Sequence, residues 1–462
     1  MYDIIVLGSG PGGYVAAIRA SQLGMKCAVV ERAELGGICL NWGCIPTKAL
    51  LKSAQVLNYA KHAGEYGLNI SCDVSADISK MVSRSRDVAS GMSRGIEYLF
   101  KKNGISVYFG NGKIVQPGKV EVALNDGTST QLEACNIVIA TGSRANSLPF
   151  APIDGEKIVS YRQALVPKTI PASMVVIGSG AIGSEFAFLY RSLGSEVTLI
   201  EYLDSIVPLE DEEVSAQLSR SFRKMGIKIL TSARVNSVEK NDSGCKIEVL
   251  TKKGTEYIEA EKVLSAVGVV ANVENLGLEN CGVVVERGKV RVDSFYSTNV
   301  EGIYAIGDVI ATPALAHVAS AEAICCVEKI AGLDPKPLDY NNFPACTYTA
   351  PEIASVGMTE KAVKESGISY KVGKFPFTAS GKAASSGEKD GFVKLIIDAA
   401  SDNILGAHLI GANVTEMISG IVVARSLGVK AKDIVHSIHP HPTMSEAIME
   451  AAAAAHGEVI HL

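Results

Sequence analysis

Two cysteines, Cys39 and Cys44, lie five positions apart in a segment flanked by glycines, and a pair this close is a candidate for redox chemistry. They lead into a stretch that is predicted to be helical to about Ala63. Residues five apart in an ideal helix have Cα atoms about 8.7 Å apart, whereas a disulfide needs about 4.4 to 6.8 Å. A bridge therefore requires a distorted first turn, which Gly43 and Pro46 would make easier. Strained cysteines at a helix N-terminus are readily reduced and have a lowered thiol pKa.

The alternatives for this pair are two buried thiols or half of a zinc site. Zinc would need further Cys or His ligands, and no C-x₂-C spacing occurs in the chain. Ten cysteines among 462 residues are too sparse for a disulfide scaffold. The vicinal Cys325–Cys326 lies in an apolar helical stretch, so buried thiols are favoured there over a metal or mercury site.

A second cluster lies near the C-terminal end, where three of the eight histidines fall between residues 436 and 441. His439 and His441 share a face of an extended segment and could bind a metal, but no carboxylate or Cys follows at a usual ligand spacing. Thr443 and Glu446 fit a capping box that opens a helix to Ala455. A third interpretation, compatible with the second, is a His441–Glu446 pair in which the carboxylate orients a general acid–base.

The predicted secondary structure around these residues contains a repeated unit. A strand over 4–7, the turn Gly8-Ser9-Gly10-Pro11-Gly12-Gly13, a helix over 14–23 and a strand over 27–30 end at Glu31. A strand over 174–177, the turn Gly178-Ser179-Gly180-Ala181-Ile182-Gly183, a helix and a strand likewise end at Glu201. Corresponding landmarks are displaced by 170 positions (178 − 8, 201 − 31).

One G-x-G-x-x-G is a weak signal, but here each copy follows a strand, opens a helix and precedes an acidic residue by about 20 positions. The glycines allow a tight turn, a close approach of pyrophosphate and close helix packing. The alternative is a glycine-rich turn without a ligand. The doubling predicts two bound dinucleotides. Glu201 favours NAD over NADP, because its carboxylate would repel a 2′-phosphate and Tyr202 to Pro208 contain no Arg or Lys.

Length and composition indicate about three domains with ordinary globular cores. Hydrophobic residues are 47% and charged residues 20% of the 462, and the formal net charge is −5. This balance disfavours nucleic acid as a partner. No apolar run of membrane-spanning length and no leader peptide are recognised, so we expect a cytoplasmic protein without a membrane segment.

The cysteine segment Gly36-Gly37-Ile38-Cys39-Leu40-Asn41-Trp42-Gly43-Cys44-Ile45-Pro46-Thr47-Lys48 resembles a known signature. It is G-G-T-C-x-N-x-G-C-x-P-S-K of the flavin-dependent pyridine nucleotide-disulfide oxidoreductases. Ile38 and Thr47 depart from it, and Trp42 lies at a position where the family has a smaller apolar residue. None of these differences removes a reactive atom. Further likenesses are Thr141-Gly142-Ser143, Ile303 to Asp308, Ala314 to His317 and the H-x-H-P-T-x-S-E pattern ending at Glu446. The resemblance therefore covers essentially the whole chain.

The resemblance implies an α/β fold with two Rossmann-like dinucleotide-binding domains, for FAD and NAD, and a C-terminal α/β dimerisation domain. The FAD-binding domain is expected over 1–145 and again over 273–340. The NAD-binding domain is expected over 146–272, and the interface domain over 341–462. A homodimer with active sites shared across its subunits is implied.

The resemblance also implies roles for the reactive groups. Cys44 would face the flavin and Cys39 would exchange with substrate. His441 would be the acid–base with Glu446 as its partner. Lys48 follows Cys44 by four residues on one helix face, where its charge favours the thiolate, and the family pairs it with Glu185. The alternative for Lys48 is a solvated helix residue.

The cofactor contacts that the resemblance implies fall into two sets, and no metal is expected. For FAD they are Gly8, Gly10, Gly13, Glu31, Lys48, Gly112, Thr141, Gly142, Ser143, Asp308, Ala314, Leu315, Ala316 and His317. For NAD they are Gly178, Gly180, Gly183, Glu185, Glu201, Val235 and Gly268. Val269-Val270-Ala271 departs from the family's G-R-x-P-N pattern, so the charged contact that this pattern provides near the NAD site is not carried over to this chain.

Within the family, Glu201, the C-x₄-C pair and the His439-to-Thr443 segment favour the members that oxidise protein-bound dihydrolipoamide. These pass electrons through a redox-active disulfide and FAD to NAD. The implied partners are lipoyl domains of 2-oxoacid dehydrogenase complexes or of the glycine cleavage system. One alternative is another NAD(P)H-dependent flavin disulfide reductase of the same fold. The other is an NADH-binding flavoprotein in which Cys39 and Cys44 are dispensable.

Overall fold

The computed structural model describes residues 1–462, which form two compact units. The first unit comprises Met1–Leu50, Asp77–Asn146 and Val269–Leu338. The second comprises Leu51–Ala76, Ser147–Gly268 and Asp339–Leu462. Each unit is therefore assembled from three separate stretches of the chain.

Twenty-three strands occur along the chain. They are β1 (Tyr2–Leu7), β2 (Cys27–Glu31), β3 (Ser106–Gln116), β4 (Lys119–Leu124), β5 (Ser129–Ile139), β6 (Ser143–Ala145), β7 (Ile158–Val159), β8 (Ser173–Ile177), β9 (Glu196–Ile200), β10 (Lys228–Leu230), β11 (Arg234–Lys240), β12 (Cys245–Thr251), β13 (Gly254–Ala260), β14 (Lys262–Ser265), β15 (Val269–Ala271), β16 (Val285–Glu286), β17 (Lys289–Val290), β18 (Ile303–Ala305), β19 (Pro344–Thr347), β20 (Glu352–Gly357), β21 (Tyr370–Pro376), β22 (Phe392–Asp398) and β23 (Ile404–Gly411).

Fourteen α-helices connect or cover these strands. They are α1 (Pro11–Gln22), α2 (Gly37–Asn41), α3 (Cys44–Lys61), α4 (Ile78–Lys102), α5 (Tyr161–Ala164), α6 (Ala181–Leu193), α7 (Glu212–Lys224), α8 (Leu278–Cys281), α9 (Ala316–Ile330), α10 (Glu360–Ser366), α11 (Gly381–Ser386), α12 (Val414–Ser426), α13 (Ala431–His436) and α14 (Glu446–Ala454).

The first unit is built on a parallel sheet whose strands follow the order β3-β2-β1-β5-β18. Strand β4 joins the long strands β3 and β5 as an antiparallel meander. The central strand β1 is buried on both faces, with Ile4, Ile5 and Val6 fully covered, as expected for a parallel sheet. Helix α1 packs against α9 in the same unit.

The second unit repeats this plan and adds another sheet. Its parallel sheet has the order β10-β9-β8-β14-β7, and β11-β12-β13 form an antiparallel meander. The edge strand β7 precedes β8 in the chain, whereas the equivalent β18 comes late in the first unit. The antiparallel sheet β19-β20-β23-β22-β21 lies in the C-terminal stretch. The predicted α/β fold with two glycine-turn units is confirmed.

A buried ionic cluster holds two stretches of the second unit together. Lys394 on β22 is 1% exposed, and its Nζ lies 2.9 Å from Asp211 Oδ1, 2.8 Å from Glu213 Oε1 and 2.7 Å from Glu360 Oε2. Asp211 also caps α7, since its side chain accepts the backbone N–H of Glu213, and it accepts the N–H of Glu360. Burial opposes ionisation of Asp211, but the hydrogen bonds from Lys394 and Glu360 lower its pKa.

We expect Lys394→Met to lower the free energy of unfolding by about 3–5 kcal/mol, because it leaves the buried carboxylate of Asp211 without its cation. The midpoint of urea unfolding of the purified protein measures this loss. Lys371→Met removes an exposed lysine from the neighbouring strand β21 and serves as the control. An unchanged midpoint for Lys394→Met would contradict the structural role of the cluster.

The same cluster predicts a loss of stability in acid. Hydrogen bonds from Lys364 and Lys394 lower the pKa of Glu360 from its ordinary 4.5 to about 2. Because the folded pKa lies below the unfolded one, this stabilisation is complete above about pH 5 and is lost as the pH falls towards 2. Thermal midpoints measured between pH 6 and pH 3 should fall less steeply for Lys394→Met than for the parent protein. Equal slopes would contradict the prediction.

Candidate active site

The first glycine turn lies between β1 and α1 and has the geometry that only glycine allows. Gly8 has φ +99°, and a Cβ there would lie 2.4 Å from the carbonyl oxygen of Ala140. A Cβ at Gly13 would lie 2.0 Å from the oxygen of Gly8. A side chain at Gly10, however, would meet no atom within 4 Å. The turn therefore packs tightly against the backbone at Gly8 and Gly13 and leaves space for a ligand beside Gly10.

The second turn, between β8 and α6, reproduces these features. Gly178 has φ +95°, and a Cβ there would lie 2.4 Å from the oxygen of Ala266. A Cβ at Gly183 would lie 1.9 Å from the oxygen of Gly178, while the space beside Gly180 is open. Neither α1 nor α6 has a side-chain cap, so the N–H groups of each first turn are available to an anion. Both turns fit the phosphates of a dinucleotide.

The acidic residue after each unit is held by a serine of the glycine turn. Glu31 Oε2 accepts the N–H and the hydroxyl of Ser9 at 2.9 and 2.7 Å, and Oε1 accepts the N–H of Ala33 at 2.9 Å. In the second unit Ser179 donates to Glu201 Oε2 at 2.9 and 2.6 Å. Leu203 N–H donates to the other oxygen of Glu201 at 2.9 Å. Since a carboxylate has about four acceptor positions, each keeps about one for a ribose hydroxyl.

The predicted residues Thr141, Ser143 and Asp308 take part in two hydrogen-bonded pairs of the first unit. Ser143 donates its hydroxyl to Asp308 Oδ2 at 2.5 Å. Asn272 donates from Nδ2 to the oxygen of Thr141 at 3.0 Å and accepts the Thr141 hydroxyl on its own carbonyl at 2.7 Å. Gly142, with φ +69°, has open space beside it. Ser143 thus orients the Asp308 carboxylate that the resemblance assigns to the flavin.

The remaining predicted cofactor contacts occupy varied surroundings. Gly112 on β3 is packed against the core, because a Cβ there would lie 3.0 Å from Leu7 Cδ2. The segment from Ala314 to His317 forms the N-terminus of α9, which begins at Ala316. Val235 is buried in β11, and Gly268 has φ +92° with open space beside it. Strand β15, which follows Gly268, pairs with β6 through the departing Val269-Val270-Ala271.

The dithiol segment lies directly against the first glycine turn. A Cβ at Gly37 would lie 2.7 Å from the Cα of Gly10. The N–H of Gly36 donates to the carbonyl oxygen of Ser9 at 3.1 Å. Cys39 lies in α2 and Cys44 begins α3, so the predicted distortion between them is a break between two helices. The structure thus places a dithiol beside a dinucleotide-type turn.

Cys39 and Cys44 are both free thiols in this structure, and the two thiols form a hydrogen bond with each other. A hydrogen bond with Cys44, followed in importance by burial, raises the pKa of Cys39 above its ordinary range, and the charge of Lys48 acts against this rise. Cys39 is half-buried and Cys44 is exposed at the N-terminus of α3. Burial and the Cys39 thiol also raise the pKa of Tyr14 on α1. Cys39 therefore keeps its proton while Cys44 is placed where a helix N-terminus stabilises a thiolate.

Glu185, the predicted partner of Lys48, is buried on α6 in the second unit. Its Oε1 accepts the backbone N–H of Tyr348 at 3.0 Å, so the C-terminal stretch holds this carboxylate in place. Lys48 lies one turn after Cys44 on α3 in the first unit. Their pairing stays a prediction.

His441 and Glu446 are in contact, as the histidine segment predicts. His441 Nδ1 lies 2.9 Å from Glu446 Oε1, and 78% of the imidazole is exposed. Burial opposes ionisation of Glu446, but the N–H of Thr443, which Oε2 accepts at 2.7 Å, and His441 lower its pKa. The predicted capping box is wrong in one half, because α14 begins at Glu446 and the Thr443 hydroxyl donates to Pro440 instead.

Sequence reasoning missed Ser9, Ser179 and Asn272. The two serines occupy equivalent repeat positions (179 − 9 = 170), so the repeat itself carried a signal for their shared role. Asn272 had no local signal, since its partner Thr141 is 131 positions away.

No helix is long and apolar enough to cross a membrane. No group of three or more His, Cys, Asp or Glu side chains is placed to hold a metal ion.

Comparison with known proteins gives consistent likenesses over the full length. The pyridine nucleotide-disulphide oxidoreductase pattern matches residues 2–323, and the dimerisation domain of the same family matches residues 343–452. Dihydrolipoyl dehydrogenase of Rhizobium etli is 48% identical over 100% of this chain and 99% of its own. The Zymomonas mobilis enzyme of that name is 47% identical, again over 100% and 99%.

Among solved structures, LpdA from Mycobacterium tuberculosis has a TM-score of 0.91 at 27% identity, covering 98% of this chain and 99% of its own. The HOCl-induced flavoprotein disulfide reductase RclA from Escherichia coli has a TM-score of 0.86 at 23% identity, with the same coverage, and shows the shared fold.

Proposed function

This chain belongs to the pyridine nucleotide-disulphide oxidoreductase family, and we propose how its residues carry out the reaction of a dihydrolipoyl dehydrogenase. The reaction converts a dihydrolipoamide dithiol to its disulfide and passes the two electrons to a nicotinamide dinucleotide. The observation that carries the proposal is the dithiol against the glycine turn, where Gly36 N–H donates to the Ser9 oxygen at 3.1 Å.

Flavin and nicotinamide use belong to the family. We assign FAD to the first turn, with Gly8, Gly10 and Glu31, and NAD to the second, with Gly178 and Glu201. When bound, FAD supplies two-electron transfer between the dithiol and the nicotinamide. The domains proposed for these roles are 1–145 with 273–340 for FAD, 146–272 for NAD and 341–462 for the interface.

The protein's own groups manage protons and sulfur bonds. We propose that His441 accepts a proton from one substrate thiol at Nε2 while Glu446 holds Nδ1. The substrate thiolate attacks Cys39 Sγ, the Cys39–Cys44 bond breaks, and Cys44 leaves as a thiolate stabilised by the N-terminus of α3 and by Lys48. The second substrate thiol then attacks the mixed disulfide, which releases Cys39 as a thiol and the substrate as a disulfide.

Residues 343–452 match the dimerisation domain of the family, so the chain assembles as a homodimer. We propose that His441 and Glu446 of one copy serve Cys39 and Cys44 of the other, which would leave a single chain without a complete site. The expected macromolecular partners are lipoyl domains of 2-oxoacid dehydrogenase complexes or of the glycine cleavage system, because their lipoyl group carries the dithiol that this reaction oxidises.

Anaerobic reduction of NAD by dihydrolipoamide tests the proposed function. Purified yellow protein should reduce NAD rapidly with dihydrolipoamide, much more slowly with NADP as acceptor, and not with reduced glutathione as donor. A protein that turns over glutathione instead would be a different disulfide reductase of the same fold. Turnover with neither dithiol would contradict the proposal.

We expect Glu201→Ala to weaken NAD use and to reduce the preference for NAD over NADP by about tenfold or more, because a hydrogen bond to a charged group is worth about 1.5–3 kcal/mol. KM values for both nucleotides in the dihydrolipoamide reaction measure the change. Glu196→Ala removes an exposed carboxylate at the start of β9 and is the control. A preserved NAD preference in Glu201→Ala would show that another group selects the nucleotide.

A further inference from the structure

Trp42 is the only tryptophan in the chain and lies between the two cysteines, where the family has a smaller apolar residue. It ends α2, with its N–H donating to the oxygen of Ile38 at 2.7 Å. Its indole Nε1–H donates to Glu34 Oε1 at 3.2 Å. The guanidinium of Arg86 lies 4.4 Å from the centroid of the ring, a cation–π contact.

Arg86 holds the backbone beside Trp42 as well as its ring. Its Nη2 donates to the carbonyl oxygen of Asn41, at the end of α2. Asn41 is itself buried, and its Nδ2 donates to the oxygens of Leu35 and Gly37 at 2.9 and 3.0 Å. The Arg86 side chain thus connects helix α4 to the segment between Cys39 and Cys44, through the carbonyl group of Asn41 and the ring of Trp42.

Helix α4 also holds the chain on the far side of Cys44. The Ser85 hydroxyl donates to the oxygen of Pro46 at 3.0 Å, and Arg84 Nη1 donates to the oxygen of Ala49 at 2.7 Å. The Ser93 hydroxyl, two turns after Arg86, donates to Asn41 Oδ1 at 2.8 Å. Helix α4, which is 25 residues long, therefore makes hydrogen bonds to the chain both before and after Cys44.

We infer that Trp42 and Arg86 are positioning residues that hold Cys39 and Cys44 at the short spacing a disulfide needs. The break between α2 and α3 brings the two thiols closer together than a continuous helix would. The contacts of Arg86 with Trp42 and with the backbone of Asn41 keep this break in place. A preorganised pair loses less conformational entropy when its S–S bond closes, which favours the disulfide over the dithiol. The inference rests on the proposed function, in which these cysteines are the redox pair.

The test is a redox titration of the pair in the flavin-loaded dimer. Oxidised dithiothreitol takes up two electrons and two protons and opens to a dithiol, while the Cys39 and Cys44 thiols lose them and form their S–S bond. Samples at graded ratios are quenched in acid and alkylated, and mass spectrometry gives the reduced fraction. Trp42→Leu and Arg86→Met should lower the equilibrium constant for disulfide formation about three- to tenfold, tenfold being about 30 mV.

Conservative variants separate this role from a general loss of structure. Trp42→Phe keeps an aromatic face and Arg86→Lys keeps the cation, so both should titrate between the parent protein and the disruptive variants. If Trp42→Leu loses flavin, these two carry the test. Arg94→Met removes an exposed arginine from the same helix and should titrate like the parent. Because Trp42 is the only tryptophan, Arg86→Met should also shift the protein's emission to longer wavelength.

The outcomes distinguish this inference from the proposed function. Titration of Trp42→Leu and Arg86→Met within twofold of the parent protein, with flavin retained, would overturn the positioning role and leave the redox pair intact. A parent protein in which Cys39 and Cys44 form no disulfide at any ratio would overturn the proposed function itself.

Discussion

Cys44→Ser should abolish reduction of NAD by dihydrolipoamide, with a loss of at least about 10³-fold, because no disulfide can form and no thiolate can leave. Cys39→Ser should do the same, because the substrate loses the sulfur that it attacks. Both variants should keep their flavin, since the glycine turn and Glu31 do not depend on the thiols for their hydrogen bonds. Anaerobic turnover measured beside the flavin absorbance gives the result.

A second activity and a matched variant make this prediction specific. Oxidation of NADH by ferricyanide requires no thiol and should persist in both serine variants. Cys135→Ser changes an exposed cysteine of the same unit and should retain both activities. Dithiol turnover that survives in Cys39→Ser and Cys44→Ser would leave a flavoprotein in which the pair is dispensable.

His441→Gln should lower dihydrolipoamide turnover by about 10² to 10⁴-fold, the usual contribution of a general acid–base. Glu446 Oε1 holds Nδ1 at 2.9 Å, and the imidazole is 78% exposed, so Nε2 is the atom available to a substrate thiol. Glu446→Gln should cause a smaller loss, because the imidazole stays but is less well oriented. Ferricyanide reduction by NADH should be unchanged in both, and His439→Gln is the neighbouring control.

Hybrid dimers of the two defective chains test whether the site is shared. In a dimer of one Cys44→Ser chain and one His441→Gln chain, one shared site carries both defects and the other carries none. Random assortment then restores about a quarter of the parent activity. If each chain contained its own complete site, every site would carry one defect and no activity would return.

The features that depend on short stretches of chain could be predicted from the residues alone. Glycines at 8, 10 and 13 with Glu31 predict the first turn, and the same spacing 170 positions later predicts the second. The cysteine spacing predicted a distorted helix start, and the His441–Glu446 contact spans only five positions. These features are recognisable because local backbone geometry and side-chain periodicity act between near neighbours.

Contacts between polar groups far apart in the chain depend on the packing of the folded protein. Lys394 is one lysine among many in the sequence, yet it is 1% exposed and surrounded by carboxylates from 183 and 34 positions away. The contacts of Arg86 with Trp42 and of Asn272 with Thr141 likewise have no local sequence pattern that would predict them. A local pattern can also mislead. The sequence predicted Thr443 as a helix cap, but its hydroxyl donates to the carbonyl oxygen of Pro440, so only half of the predicted capping box forms. A polar side chain has the same sequence signal whether it is solvated or buried, and only the packing of distant elements supplies its partner.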